Sequence, residues 1–151
     1  MSSTKPDRGP MLGALLRLTY QSMLEQHTRW LAASEYSDLQ PAHSAAIQPL
    51  WDAPDGERVT TLARSARITK QSMSALVDHL EKTGYVERVA DPDDARATRV
   101  RLTPRGRAFG RAIRSVGRDV EERWAEKIGA ARIEQLKQTL ELLRTTLPEH
   151  D

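Results

Sequence analysis

The 151 residues contain no cysteine, which excludes disulfides, thiolate-bound metal and sensing by thiol oxidation, and fits a reducing compartment. Histidines stand only at positions 27, 43, 79 and 150. They form no H-E-x-x-H or other ligand spacing, so no metal site is expected. There is no G-x-G-x-x-G, no phosphate-binding P-loop and no G-x-S-x-G. The stretch "GRAFGR" places two glycines inside a predicted helix without the spacing a dinucleotide site needs. No enzyme and no cofactor are expected. No apolar run approaches the ~18 residues of a membrane span, so no membrane partner is expected. The start, "MSSTKPDRGP", lacks the apolar core of a signal peptide. Residues 1–9 read as a flexible terminus and the protein as cytoplasmic.

What the chain does have is charge, unevenly spread. Its formal net charge is only +2, yet residues 58–118 hold 14 Lys/Arg and 6 Asp/Glu, a balance of +8, against 9 and 15, or −6, in the remainder. A basic middle between acidic flanks is the pattern of a polyanion-binding module, with a merely solvated surface as the bland alternative.

Periodicity supplies the elements. A first helix begins near Pro10 and carries Leu12, Leu15, Leu16, Thr19, Met23 and Leu24 at helical spacing. Pro41 opens a shorter second helix, which Pro49 must kink or end. "VTTLARSA" is a brief helix after a possible short strand at Arg58 and Val59. Thr69 caps the next helix, "KQSMSALVDHLEKTG", whose Met73, Leu76, Val77 and Leu80 make one buried stripe. Gly84 fits a left-handed C-cap. "YVERV" and "TRVRL" alternate as two strands. Thr103 and Pro104 start a long helix that buries Phe109, Ile113, Val116, Val120 and Trp124. Gly129 breaks it. The row Ile133, Leu136, Leu140, Leu143 and Leu147 suits either an internal core or pairing with another chain.

Helix, turn, helix, strand, loop, strand is the winged helix-turn-helix order. Opposite the buried stripe lie Gln71, Ser74, Ala75 and Asp78, with Lys70 at the edge. That face is small and polar, as a helix entering a major groove requires, although a solvated face has the same composition. Gln71 suits adenine, and Lys70 suits guanine or phosphate. Thr69 and Ser72 offer hydroxyls to phosphate at the helix's positive end. In the hairpin "DPDDARATRVRLTPRG", Arg96 has the reach for a minor groove. Asp94 is expected to grip its guanidinium, while Arg99 and Arg101 touch phosphate or balance the acidic loop.

That hairpin resembles the wing signature of the MarR family of bacterial transcription regulators, D-P-x-D-x-R followed by V-x-L-T-x-x-G. "TLARSARITKQSMSALVDHLEKTGYVERV" is similar to the family's helix-turn-helix. The order of elements follows the family over about residues 10–147, with strong motifs between 60 and 106. The resemblance implies a mainly α fold with a small β-hairpin, a winged helix-turn-helix with flanking dimerisation helices. Residues 10–35 and 108–147 would form the dimerisation region and 41–106 the DNA-binding lobe of a single domain, 10–151. It further implies a homodimer on a palindromic operator in double-stranded DNA, commonly a repressor released by a small aromatic or anionic ligand. In the family the region on and just after the first two helices borders the cleft between the dimer body and the DNA-binding lobe. Here it holds Tyr20, His27, Trp30, His43 and Trp51, with Arg17 and Arg111 as possible cations, although core packing explains the same aromatics. A DNA-binding protein without small-molecule input, and a helical adaptor for acidic partners, stand as alternatives. Three departures bear on the site. Arg67 occupies a turn position often held by glycine, where a left-handed residue would cost ~1 kcal/mol unless the turn differs. Ala66 is smaller than usual, and Pro49 interrupts a helix that more often runs on.

Overall fold

The computed structural model describes residues 9–146. Helix α1, Leu12–Ala33, leaves its N-terminus without a side-chain cap and closes with the Ser34 N–H on the Leu31 carbonyl. Only Leu31 of this helix is fully buried. Leu12, Leu15 and Leu16 repeat at helical spacing but stay 63, 46 and 40% exposed, so the stripe has no cover among the described residues. The second helix is fragmented. A 3-10 turn at Pro41–His43 leads into the single α-turn of α2, Ser44–Ile47, and a second 3-10 turn at Gln48–Leu50 ends it. Pro49 accounts for the change of winding, since its ring cannot supply the N–H that an α-helix needs.

Helix α3, Val59–Ala66, and helix α4, Lys70–Lys82, pack through Leu62, Met73, Val77 and Leu80, each with no exposed surface. Burial of such side chains stabilises the fold by about 2 kcal/mol apiece. Strands β1, Val86–Asp91, and β2, Asp94–Leu102, form an antiparallel hairpin in which Val86 faces Leu102 and Arg88 faces Val100. The short strand expected at Arg58 and Val59 is displaced by one residue. Glu57 makes an isolated bridge to Val100, with bonds of 2.9 and 2.8 Å, whereas Arg58 precedes α3 and Val59 opens it.

Thr103 caps helix α5, Pro104–Ile128, by accepting the Gly106 N–H, and donates its hydroxyl proton to the Gly84 carbonyl at 2.6 Å. The helix therefore starts locked to the strand entry. A Cβ at Gly106 would collide with the Tyr85 carbonyl, and one at Gly110 with the indole of Trp51. The two glycines of "GRAFGR" thus serve close approach. Gly129, at φ 97°, separates α5 from helix α6, Ala130–Thr146. In α6 only Ile133 is buried, and Leu136, Leu140 and Leu143 are about as exposed as the leucines of α1. Leu147 lies outside the described residues. No helix among the described residues is long and apolar enough to cross a membrane.

The core joins Ile47, Leu50, Leu62, Val77 and Val100 to an aromatic cluster of Trp30, Tyr36, Tyr85 and Phe109. Tyr85 is central. Its hydroxyl donates to Asp38 Oδ1 at 2.7 Å and accepts from Arg105 at 3.0 Å, while the Arg105 guanidinium lies 4.5 Å from its ring centre. Burial, then donation to the Asp38 carboxylate, pushes its pKa up to about 12.

Candidate nucleic-acid interface

The turn between α3 and α4 is a left-handed C-cap. Arg67 sits at φ 54°, ψ 41°, its N–H on the Arg64 carbonyl and the Ile68 N–H on the Ala63 carbonyl, both at 3.1 Å. Of the two outcomes left open for this position, the strained one is realised. Thr69 then starts α4. Its Oγ1 accepts the Ser72 N–H at 3.1 Å and donates to Ser72 Oγ at 2.9 Å. Both hydroxyls are thus engaged in the cap, yet both residues are exposed. Lys70, Gln71 and Ala75 are exposed and Ser74 is half-buried on the same helix. None of their side chains makes an intramolecular hydrogen bond among the described residues. Asp78 differs, because it accepts from Arg88 at 2.7 Å, and Arg88 also pairs with Glu81. The opposing charges there bolt β1 onto α4.

The wing departs from simple alternation. Ala90 faces Thr98 and Asp91 faces Asp94, so one step along β1 answers four along β2 and Ala95, Arg96 and Ala97 bulge out unpaired. Arg96 is the middle residue of this bulge and is exposed. The expectation that Asp94 grips its guanidinium is corrected. Asp94 Oδ1 accepts the Arg96 backbone N–H at 3.0 Å, and its other oxygen lies 3.8 Å from Arg58. A short aspartate reaches a backbone amide two residues on more readily than a flexible guanidinium. Asp94 therefore shapes the bulge.

Arg99 is also held within the protein. It lies 3.2 Å from Asp91 and 2.8 Å from Asp93, which makes it a strut of the hairpin. The Asp91 side chain is fully buried and also accepts from Arg58 at 2.6 Å. The Asp93 N–H, followed by Arg58 and Arg99, brings its pKa down to about 2. Arg101 pairs with Glu87 at 2.7 Å.

Behind the turn lies a cavity of about 350 Å³ between α1, the α2 region, α3 and α5. Tyr20, His27, Gln48, Pro49, Ala66 and Phe109 are among its walls. Of the residues proposed from sequence for a ligand, Tyr20 and His27 are brought together here and the others are not. Arg17 is exposed on α1 and bonds Gln21. Arg111 is exposed on α5. Trp30 belongs to the aromatic cluster. His43 is buried, accepts the Gln40 N–H on Nδ1 at 2.9 Å and stacks on His79 with ring centres 4.4 Å apart. Trp51 packs on Gly110 beneath the Arg114 guanidinium, 3.9 Å from its ring centre. The cavity wall contains no charged residue. His27 Nε2 is buried without a hydrogen-bond partner, and burial lowers the pKa of this imidazole. Ala66 and Pro49, the two departures noted on this side of the helix pair, both face the cavity. Sequence reasoning missed the Asp38–Tyr85–Arg105 node. Its members lie 47 and 20 residues apart, beyond any local pattern.

Two helices around a tight turn, the second with a small polar face, and a hairpin with an outward arginine define a winged helix-turn-helix protein. A sequence model of the MarR family matches residues 37–97. The HTH-type transcriptional repressor Rv2887 of Mycobacterium tuberculosis is 31% identical over 117 residues, spanning 70% of this chain and 84% of the relative. Among solved structures, the transcriptional repressor CouR bound to a 23-mer DNA duplex matches with a TM-score of 0.74 at 27% identity, covering 89% of this chain and 92% of that one. CouR from Rhodococcus jostii RHA1 bound to p-coumaroyl-CoA matches with a TM-score of 0.75 at 21% identity, covering 99 and 100%. The chain belongs to the MarR family of DNA-binding transcription regulators. The resemblance carried by the wing motif, and the winged-helix fold it implied, are borne out.

Proposed function

We propose that this protein is a cytoplasmic homodimeric repressor that binds a palindromic operator and is released by a small aromatic ligand. The observation that carries the DNA reading is the juxtaposition in sequence and fold of an unengaged polar face on α4 with the bulged Arg96 of the wing. In this reading Gln71, with Ser74 and Ala75, reads base edges in the major groove. Lys70, Thr69 and Ser72 contact phosphate at the start of α4. Arg96 enters the adjacent minor groove, and Asp94 and Arg99 hold the wing that presents it. The second copy is called for by the leucines of α1 and α6, which nothing among the described residues covers. A two-fold axis would set the two α4 helices about one DNA turn, roughly 34 Å, apart.

The ligand reading rests on the cavity, whose volume lies at the lower end of the ~300–1,000 Å³ typical of small-molecule sites. Its uncharged wall and neutral imidazole favour a ring bearing a hydroxyl over a carboxylate. A hydroxyl donates or accepts, and so satisfies His27 Nε2 in either tautomer. CouR, solved with p-coumaroyl-CoA, supports an aromatic acyl group as a second class to test.

Selection from a random duplex pool, followed by fluorescence anisotropy, tests the DNA reading. A palindromic motif is expected. Gln71→Ala should relax base preference by about 1–3 kcal/mol at one position per half-site while leaving random-duplex affinity nearly unchanged. Equal losses on every sequence would exclude a base contact by Gln71. Titrating the complex with phenols, aromatic carboxylates and their thioesters tests release. Dissociation by none of them would favour a regulator without small-molecule input.

A further inference from the structure

The arginines of the DNA-binding lobe fall into two groups. Arg58, Arg88, Arg99, Arg101 and Arg105 each pair with a carboxylate. Arg96 of the wing does not, and neither do Arg64, Arg67 and Lys70, among the described residues; these last three are all exposed. They follow one another at steps of three, from the last turn of α3, through the left-handed turn, to the first residue of α4.

Arg64 has an intramolecular explanation, since a cation near the C-terminus of α3 complements the helix dipole. Arg67 has none. It is the sole non-glycine residue at positive φ among the described residues, where Gly56, Gly84 and Gly129 fill the comparable positions. Its backbone bonds, to the Arg64 carbonyl and from Ile68 to Ala63, are those of a Schellman turn and involve no side chain. Glycine would close the same turn without the left-handed penalty. The fold thus tolerates a strained residue whose long cationic side chain has no partner among the described residues. Its position, two residues before α4, borders the helix read above as entering the major groove.

From this we infer that the turn is a phosphate-binding site of its own, in which Arg67, flanked by Arg64 and Lys70, grips the DNA backbone beside the major groove without reading sequence. The assignment rests on α4 being the groove helix. It adds a backbone anchor on the opposite side of that helix, in chain order, from the wing. The ligand class is the phosphodiester, and the recognition is electrostatic with directional N–H donors.

Arg67→Gly separates this role from a structural one, because the two predict opposite signs. Relief of the left-handed strain should leave the melting temperature unchanged or raised. Loss of the phosphate contact should weaken binding about tenfold at fixed salt, equally on operator and random duplex. The slope of log affinity against log salt should shallow by about 0.9 per lobe. Arg67→Lys should recover most of the slope. Unchanged affinity and slope in Arg67→Gly would overturn the proposal, as would a loss confined to one sequence, which would make Arg67 a base reader. Wild-type protein that binds no duplex at any salt would instead overturn the α4 reading beneath it, so the two failures are distinct.

Discussion

Removing the guanidinium of Arg96 should change how DNA affinity responds to salt by an amount that can be counted from the ion pairs. Each copy holds four cations near the interface without a carboxylate partner among the described residues: Arg64, Arg67, Lys70 and Arg96. If each displaces one counterion at ~0.9 per phosphate, a dimer with about eight contacts has a slope near −7. Affinity would then fall roughly 10⁴-fold between 50 and 200 mM salt. Arg58, Arg88, Arg99, Arg101 and Arg105 are held by Asp91, Asp78, Asp93, Glu87 and Asp38. Were these free as well, the count would rise to about eighteen and the slope to about −16. Arg96→Ala should bring −7 to about −5. Its cost to folding should stay within ~0.5 kcal/mol, as for an exposed residue making no side-chain contact. Anisotropy on one duplex across five salt concentrations, with urea melts alongside, measures both. A wild-type slope near −16, or an Arg96→Ala slope within about half a unit of wild type, would refute the division into engaged and free cations.

Ala66→Leu should fill part of the cavity. It is expected to hold or raise stability, by up to ~2 kcal/mol for the added methylenes. Ligand-induced release should fall at least tenfold with DNA affinity intact, and undiminished release would place the ligand elsewhere. Tyr85→Phe removes the hydroxyl shared by Asp38 and Arg105 and should lower stability by about 1–2 kcal/mol in denaturant titration. No change would show that this node is not structural. Asp91 sets an acid limit for the wing. Its folded pKa, about 2, lies below the ordinary 3.8. The stability it supplies is therefore complete above pH ~4 and lost as pH falls through ~2. Asp91→Asn should be less stable at neutral pH and should flatten the acid loss; a variant with the wild-type pH profile would assign that loss to another group.

Local patterns were legible wherever one element determined its own geometry. The stripe of Met73, Val77 and Leu80, the Thr69 cap and the Thr103–Pro104 start need only neighbours within a turn, and all are present. The wing was legible as two strands but not as a bulged pair. A-R-A-T carries no large apolar residue to mark which face was lost, so three extra residues on β2 leave the alternation unbroken to the eye. Asp94 was misread for a related reason: sequence places a carboxylate near an arginine without saying whether side chain or backbone receives it. The aromatics of the proposed cleft dispersed because each met a different long-range partner. Trp51 found the flat strip at Gly110, a signal that two glycines four apart on a helix did carry. His43 found the Gln40 amide, three residues back, in a reciprocal cap.

The same division explains why so short a hairpin carries so much opposing charge. Asp91 alone holds two arginines, Arg58 from the start of α3 and Arg99 from β2, and also the Asp93 amide that turns the chain. A wing without that buried carboxylate would leave Arg58 and Arg99 without the acid they share and would lose its shortest ion pair to the start of α3. The net +8 of residues 58–118 is therefore an imperfect measure of attraction to DNA, because five of its twelve arginines are paired with carboxylates in building the lobe. Among the cations that the acids do not reach, Arg64, Arg67, Lys70 and Arg96 lie at the α3–α4 turn and the β2 bulge. At both places the backbone departs from regular geometry, at Arg67 and at Ala95–Ala97, and the arginine carried there, Arg67 or Arg96, is exposed with no carboxylate partner among the described residues, which leaves it available to phosphate.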